Sequence, residues 1–459
     1  MFKKNKGPQL ILGRGQSLAD PTRNIEIAIP DTHRNGHLWC FGTTRVGKTR
    51  VIENMAEQDI RKGYSVVLID PKGDLEIFSK VVQVAFEEGR QEELMLVTPI
   101  FPFCSAIIDP LAYYFMPEEL VGHIVSGVEV GKEKFFYNVA YEISLVVVQA
   151  LILLAKNEGK PPLFNLNDVK NRISRSELEK LKPEIDAIDS DEARQLSSDM
   201  QKVLDSPPDY YGKVSSSLRV ALMELTSGNI GKIIGRADEN RFLKRLEEGK
   251  RVIMVVQLGS LLTRRAAYTL GKVVVSMVQS FVGRVFASGR KVTPPLCLYI
   301  DEAQNVLYYG IDDLFAKAGG AGVWVHGFSQ SVSQLYAALG EDYANVILDN
   351  TNTKLFMRVP DAKTAQYVAD HFGERPQYAP ILSVGGGMTV RQMDEPVLKP
   401  QDVLNLPARK FYLLGYDGAF VGKTEDVSNP YVHIKLPNIS VEEGTIEAAD
   451  SGKGSPANG

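Results

Sequence analysis

The chain has 459 residues, enough at about 150 residues per domain for roughly three domain-sized pieces and a large buried core. With 44% hydrophobic and 24% charged residues it is neither disordered throughout nor fibrous. The 52 basic and 56 acidic residues leave a net charge of −4, so no global positive field draws the chain to nucleic acid, and any such contact must be local. Cys40, Cys104 and Cys297 are odd in number and far apart, which excludes a disulfide framework and a cysteine zinc site and predicts a reducing compartment.

The basic start Met1-Phe2-Lys3-Lys4 lacks a following apolar stretch long enough for a signal peptide or anchor. Residues 1–30 are read as an N-terminal segment. Short apolar runs then recur at His37–Phe41, Ser65–Ile69, Leu94–Val97, Val252–Leu258, Leu296–Ile300, Val323–Phe328, Leu355–Val359 and Phe411–Leu414. Rich in β-branched and aromatic residues, they predict strands of a sheet covered on both faces. Lys48–Arg61 places Val51, Ile52, Met55 and Ile60 at helical spacing, with Gly63 as a stop. Strand, loop, helix, strand is the order of a mainly parallel α/β sheet.

From residue 111 to 235 strand patterns are missing and helical ones dominate. This predicts an all-α domain inserted into an α/β core made of residues 31–110 and 236–440. The longest apolar run, Ile143–Ala155, is too short for a ~30 Å hydrocarbon core and predicts a buried helix, so the chain is not expected to span a membrane. Gly385-Gly386-Gly387, between Pro376 and Met393, predicts a long flexible loop. Residues 441–459 hold Glu442, Glu443, Glu447 and Asp450 against Lys453, and predict a disordered acidic tail.

The strongest motif is Gly42-Thr43-Thr44-Arg45-Val46-Gly47-Lys48-Thr49, a P-loop between an apolar strand and an amphipathic helix. Its backbone N–H groups and the helix N-terminus suit phosphate oxygens. Lys48 is expected to reach the β- and γ-phosphates of ATP, and Thr49 to bind Mg2+. Leu296–Ile300 then delivers Asp301, the candidate Mg2+ partner, and Glu302, a candidate acceptor for the attacking water's proton. Gln330 follows the next strand, where its amide can orient that water without titrating. Asp70-Pro71-Lys72-Gly73-Asp74 has two readings: Lys72 beside the nucleotide or the DNA path, or a plain turn in which Pro71 and Gly73 end a strand. His33 and His37 lack a third ligand and read as surface histidines.

The P-loop, Ile69–Leu75, the helical insertion, Ile300-Asp301-Glu302-Ala303 and Ser329–Leu335 occur in an order that resembles the conjugative coupling proteins. These are the TraD/TraG-type ATPases of type IV secretion, related to the FtsK and HerA DNA motors. Ile347–Thr353 and Leu398–Val403 look like the same family's C-terminal core. The resemblance covers roughly residues 35 to 425 and implies a RecA-like P-loop NTPase, a homo-hexameric ring that pumps single- or double-stranded DNA, and a relaxase and secretion-channel components as partners. It implies work in the cytoplasm at the inner face of the cell membrane. The N-terminal transmembrane helices usual in the family are missing, so membrane association is expected only through partners. Relatives also place an arginine where this chain reads Ala316–Gly322, which leaves Lys317, Arg264 or Arg265 as the cation acting on a neighbour's nucleotide, and Ala318–Gly322 as a possible pore loop. Two other readings stand beside this one: a soluble HerA-like translocase or helicase, and a nucleotide-binding recruitment scaffold that hydrolyses little ATP.

Overall fold

The computed structural model describes residues 7–128, 134–235, 240–382 and 388–438. Its strands are β1 (Gln9–Ser17), β2 (Ile25–Pro30), β3 (Leu38–Phe41), β4 (Ser65–Asp70), β5 (Leu94–Val97), β6 (Ile253–Gln257), β7 (Leu296–Ile300), β8 (Val323–Ser329), β9 (Thr353–Phe356), β10 (Glu374–Leu382), β11 (Met388–Pro396), β12 (Lys410–Gly415) and β13 (Gly418–Thr424). All eight apolar runs form strands. Eleven strands make one sheet in the order β2-β1-β13-β12-β9-β3-β8-β7-β4-β6-β5. From β9 to β5 every pairing is parallel, and from β2 to β9 every pairing is antiparallel.

Helices cover both faces, so the parallel strands are apolar on both sides. Trp39 and Phe41 of β3 enter one core with Val325 and Ile300, while Leu38 and Cys40 enter the other with Phe328 and Tyr299. Alternation along each strand divides the side chains between the two cores. Residues 9–30, set apart in the sequence reading, supply two edge strands of this same sheet.

Between β5 and β6 the described residues form helices, from Pro117–Ser126 to Arg241–Glu247, with one isolated bridge, Ile108 to Asn240, at the base of the excursion. Leu120, Val147, Leu178 and Leu222 share one continuous core with the sheet residues Val97 and Val256. The helix Ser260–Ala287, which follows β6, packs on both Pro117–Ser126 and Pro208–Thr226 and so welds the helical stretch to the sheet. Two described stretches, Tyr137–Asn157 and Ser260–Ala287, are long and apolar enough to cross a membrane by length and composition. Both lie in this helical layer, where Ile143, Val147, Val274 and Val278 are buried.

Three expectations need correction. The segment flanking Gly385–Gly387 forms an antiparallel ribbon, β10 with β11, rather than a long loop; the three glycines lie outside the described residues, as does the acidic tail. Ala318–Gly322 is a packed turn with Ala318 and Ala321 buried, tied by Val323 N–H to Ala318 O at 2.9 Å. It precedes β8 and so lies at the sheet edge opposite the P-loop. His37 is a buried histidine whose Nδ1 accepts the Val325 N–H at 3.1 Å, and burial lowers its pKa to about 4. His33 is partly exposed and faces Asp417 at 3.3 Å.

Candidate nucleotide site

The sheet order decides which loops meet. β3, β8 and β7 are consecutive and parallel, so the loops leaving their C-terminal ends open on one edge. The P-loop leaves β3 there. Gly42 N–H donates to Ser329 O at 3.1 Å and Thr43 N–H to Arg358 O at 2.7 Å, which anchors the start of the loop to β8 and to the chain after β9. Arg409 N–H donates to Val46 O at 2.9 Å and fixes its far side.

Two residues of the loop take left-handed backbone angles, Arg45 at φ 61° and Gly47 at φ 107°. At Gly47 a side chain would be strained, whereas glycine makes the turn freely and delivers Lys48 as the first residue of the helix Lys48–Arg61. The Lys48 ammonium is buried without a hydrogen-bond partner, 3.7 Å from Glu302 Oε1. A buried ammonium in that state is poised for an anionic ligand, since leaving it unpaired is costly. Thr49 follows in the same first turn.

β7 is buried along its whole length and ends in the acidic pair. Asp301 N–H donates to Ile69 O at 3.0 Å, which holds the pair against β4. Asp301 Oδ1 is buried without a partner, and so is Ser329 Oγ at the end of β8. Glu302 sits at φ 43°, a region sparsely used by residues with a side chain. Its Oε1 accepts from Lys72 Nζ at 2.8 Å and from Gln330 Nε2 at 3.0 Å, and its Oε2 from Gln304 Nε2 at 2.8 Å. Lys72 Nζ is also 3.5 Å from Asp301 Oδ2.

The two carboxyls are tuned in opposite directions. Burial would raise Glu302, but Lys48, Lys72 and the donated hydrogen bonds outweigh it and hold the group ionised, with a pKa of about 2. For Asp301 burial wins over the pull of Lys72 and Lys48, and its pKa is raised. Asp70, buried beneath the Lys72 turn, accepts the backbone N–H groups of Lys72 and Asp74; burial, with Asp301 nearby, raises its pKa to about 6.

The residues singled out in sequence thus divide clearly. Lys48, Asp301, Glu302 and Gln330 converge on one edge, with Lys72 joining them at contact distance. Lys317 lies at the opposite edge, paired with Asp313 at 2.7 Å. Arg264 stacks on the Tyr268 ring at 5.8 Å, and Arg265 pairs with Glu224 at 2.8 Å. Met357, Arg358 and Arg409, which brace the P-loop, carried no sequence signal. Among the described residues no group of histidine, cysteine and carboxylate ligands forms a closed metal site. What the edge does present is a buried ammonium without a hydrogen bond, 3.7 Å from Glu302, and a buried carboxylate oxygen without one, beside the start of the P-loop helix, a set that fits a metal-bound polyphosphate.

A P-loop strand separated by one strand from the strand bearing Asp-Glu, within a parallel sheet, defines a RecA-like P-loop NTPase fold. Residues 295–408, from the start of β7 to just before β12, match the family model described as the TraM recognition site of TraD and TraG. That match spans a quarter of the chain and is a similarity in the same direction as the order of motifs. The whole fold is similar to that of the bacterial conjugative coupling protein TrwBΔN70 in its unbound form, with a TM-score of 0.65 at 16% identity over 93% of this chain and 91% of that chain. It is likewise similar to plasmid coupling protein TrwB in complex with ADP and Mg2+, with a TM-score of 0.62 at 16% identity over 94% and 92%. VirB4 of Thermoanaerobacter pseudethanolicus matches with a TM-score of 0.52 at 13% identity over 93% and 98%. No curated protein sequence matches the chain significantly.

Proposed function

We propose that this chain is an ATP-driven coupling protein that recruits a relaxase–DNA substrate and pumps it into a type IV secretion channel. The observation that carries the reading is the buried, unpartnered ammonium of Lys48 beside the Asp301–Glu302 pair. The likeness to TrwB, solved with ADP and Mg2+ and with a non-hydrolysable ATP analogue, supports the choice of nucleotide. The TraD/TraG-type segment supports the setting in conjugation.

In this reading Gly42, Thr43, Thr44, Arg45, Val46 and Gly47 form the phosphate loop, Gly42 and Thr43 anchoring it through their N–H groups and the others lending theirs to the phosphates, and Lys48 neutralises the β- and γ-phosphates. Thr49 and Asp301 hold Mg2+, which when bound offsets the charge of the polyphosphate. Gln330 orients the attacking water through its amide. Glu302 accepts that water's proton, on Oε1 once Lys72 or Gln330 has moved off it, or on Oε2, which holds only the bond from Gln304. A homo-hexamer places the sites between protomers, with Lys317, Arg264 or Arg265 reaching a neighbour's γ-phosphate and DNA in the centre. The helical residues 111–235 form the cytoplasm-facing recruitment module on a nucleotide-binding core of residues 31–110 and 236–440, whose sheet also takes in the strands of residues 9–30, and partners hold the assembly at the inner face of the membrane.

The test is ATP turnover by the purified chain with and without added DNA, paired with capture of relaxase from a donor extract on immobilised chain. DNA-stimulated turnover with relaxase retention is expected. Nucleotide binding without turnover at any concentration or with any DNA would overturn the motor reading and leave a recruitment scaffold; turnover with a nuclease retained and no relaxase would point to a DNA-processing translocase.

A further inference from the structure

The function proposed above leaves one cation of the site without a task. Lys72 lies in the turn Pro71–Asp74, half exposed, yet its ammonium bridges both acidic residues, 2.8 Å from Glu302 Oε1 and 3.5 Å from Asp301 Oδ2. It therefore sits between the carboxylates that a metal and an attacking water would need. Glu302 carries three donors: Oε1 takes Lys72 and Gln330, and Oε2 takes Gln304. Both acceptor positions of Oε1 are filled, so that oxygen is poorly placed to receive a proton while Lys72 stays.

The turn that carries Lys72 is not free to drift. Asp70 Oδ1 accepts the Lys72 N–H at 2.9 Å, and Asp70 Oδ2 accepts the Asp74 N–H. Leu258 N–H donates to Asp70 O at 3.1 Å and Ser260 N–H to Pro71 O at 2.8 Å, while Gln257 Nε2 donates to Asp74 O at 3.1 Å. The turn is thus fastened to the segment that follows β6, and Gly73 at φ 81° completes it. The Lys72 side chain, by contrast, is held only by the two carboxylates. A stiff turn with a long, half-exposed side chain lets the ammonium leave its partners while the backbone stays in place.

We infer that Lys72 is a positioning residue that locks Glu302 in a resting arrangement and withdraws when metal-bound nucleotide enters. The inference rests on the nucleotide reading of the site. Its basis is competition: the ammonium lies 3.5 Å from Asp301, the carboxylate proposed to hold the metal, so two like charges would crowd one carboxyl group and each disfavours the other. Removing the ammonium frees Glu302 before any ligand arrives and spares the ligand the work of displacing it. The Lys72 side chain is half exposed, and urea titration of each variant shows whether its loss touches the fold as well as the lock.

The experiment compares wild type, Lys72→Met and Lys72→Arg in two measurements. The first is equilibrium binding of a fluorescent, non-hydrolysable ATP analogue with Mg2+, read without turnover. The second is kcat and KM for ATP in the absence of DNA. For Lys72→Met, tighter binding and a basal kcat raised about tenfold are expected, the size of one charge-assisted hydrogen bond released. Lys72→Arg should return both values close to wild type. Weaker binding or a lowered kcat in Lys72→Met would overturn the inference and make Lys72 a phosphate-facing cation, and so would a Lys72→Arg that behaves like Lys72→Met. Failure of wild type itself to bind the analogue would overturn the reading of the whole site, a different result from normal wild-type binding with loss in Lys72→Met alone.

Discussion

Arg34 and Asp59 form a two-pronged ion pair beneath the sheet, with both nitrogen-to-oxygen distances at 2.6 Å and both side chains buried. Asp59 lies on the P-loop helix and Arg34 just before β3, so the pair clamps the two elements that deliver Lys48. Tyr299 O–H also donates to Asp59, and Arg34 donates to His326 Nε2 at 3.1 Å while His326 Nδ1–H faces Leu298 O at 3.3 Å. Both terminal nitrogens of Arg34 and both Asp59 oxygens are hydrogen-bonded, and only Arg34 Nε is left without a partner.

Removing one partner leaves the other charge buried and alone, and typically costs about 3–5 kcal/mol. Asp59→Asn and Arg34→Met are each expected to lower the unfolding free energy by that order in urea titrations. The double variant Arg34→Met/Asp59→Asn should lose clearly less than the sum of the single losses. Additive losses would mean that the pair does not act as a unit.

Glu302→Gln keeps the shape of the side chain and removes its basicity. It is expected to retain nucleotide while turnover falls by about 10²–10⁴-fold, the range of a general base. Lys48→Ala should instead weaken binding itself, because its ammonium has no other partner at hydrogen-bond distance. Equilibrium binding and single-turnover assays on the two variants separate these effects.

Gln330 donates to Glu302 at 3.0 Å from the strand that separates the P-loop from the acidic pair. Gln330→Ala is expected to lower kcat about tenfold to a hundredfold with a small change in KM, as for a group needed mainly in the transition state. A rise in KM at constant kcat would assign Gln330 to ground-state binding.

His123 is wholly buried, with Nδ1 2.8 Å from Ser276 Oγ, and burial lowers its pKa to about 4, with Arg284 pulling the same way and Glu119 opposing. In the unfolded chain it takes up its proton near the ordinary histidine value of 6.5. Between these values the unfolded state binds the extra proton, so acidification favours unfolding, and the penalty is absent above about pH 6.5. The stability lost on going from pH 7 to pH 5 should be about 2 kcal/mol smaller in His123→Gln than in wild type. Urea midpoints at the two pH values measure it, and parallel losses in the two proteins would refute it.

Strands that are buried on both faces announce themselves as apolar runs, so β3 to β9 and β12 were legible. β1 and β13 were not, because their glycines read as loop. At Gly13 a side-chain carbon would fall 1.9 Å from Lys423 O, and at Gly15 2.0 Å from Val421 O. The glycines are there because the paired backbones press together, a requirement that exists only once the strands have met. Lys48 and Thr49 were legible through the P-loop motif, and Asp301, Glu302 and Gln330 because they come at the end of apolar strands. The contact of Lys72 with Glu302 spans 230 positions and depends on β4 lying beside β7, an adjacency that no local pattern encodes.

The pairing of β1 with β13 joins Gly13 to Thr424 and Ser17 to Phe420. A ribosome releases the first of these strands long before it has made the second. Throughout synthesis the opening hairpin of β1 and β2 therefore offers a bare hydrogen-bonding edge with no native mate, and the newborn protein depends on shielding from stray β-partners until its last strand emerges.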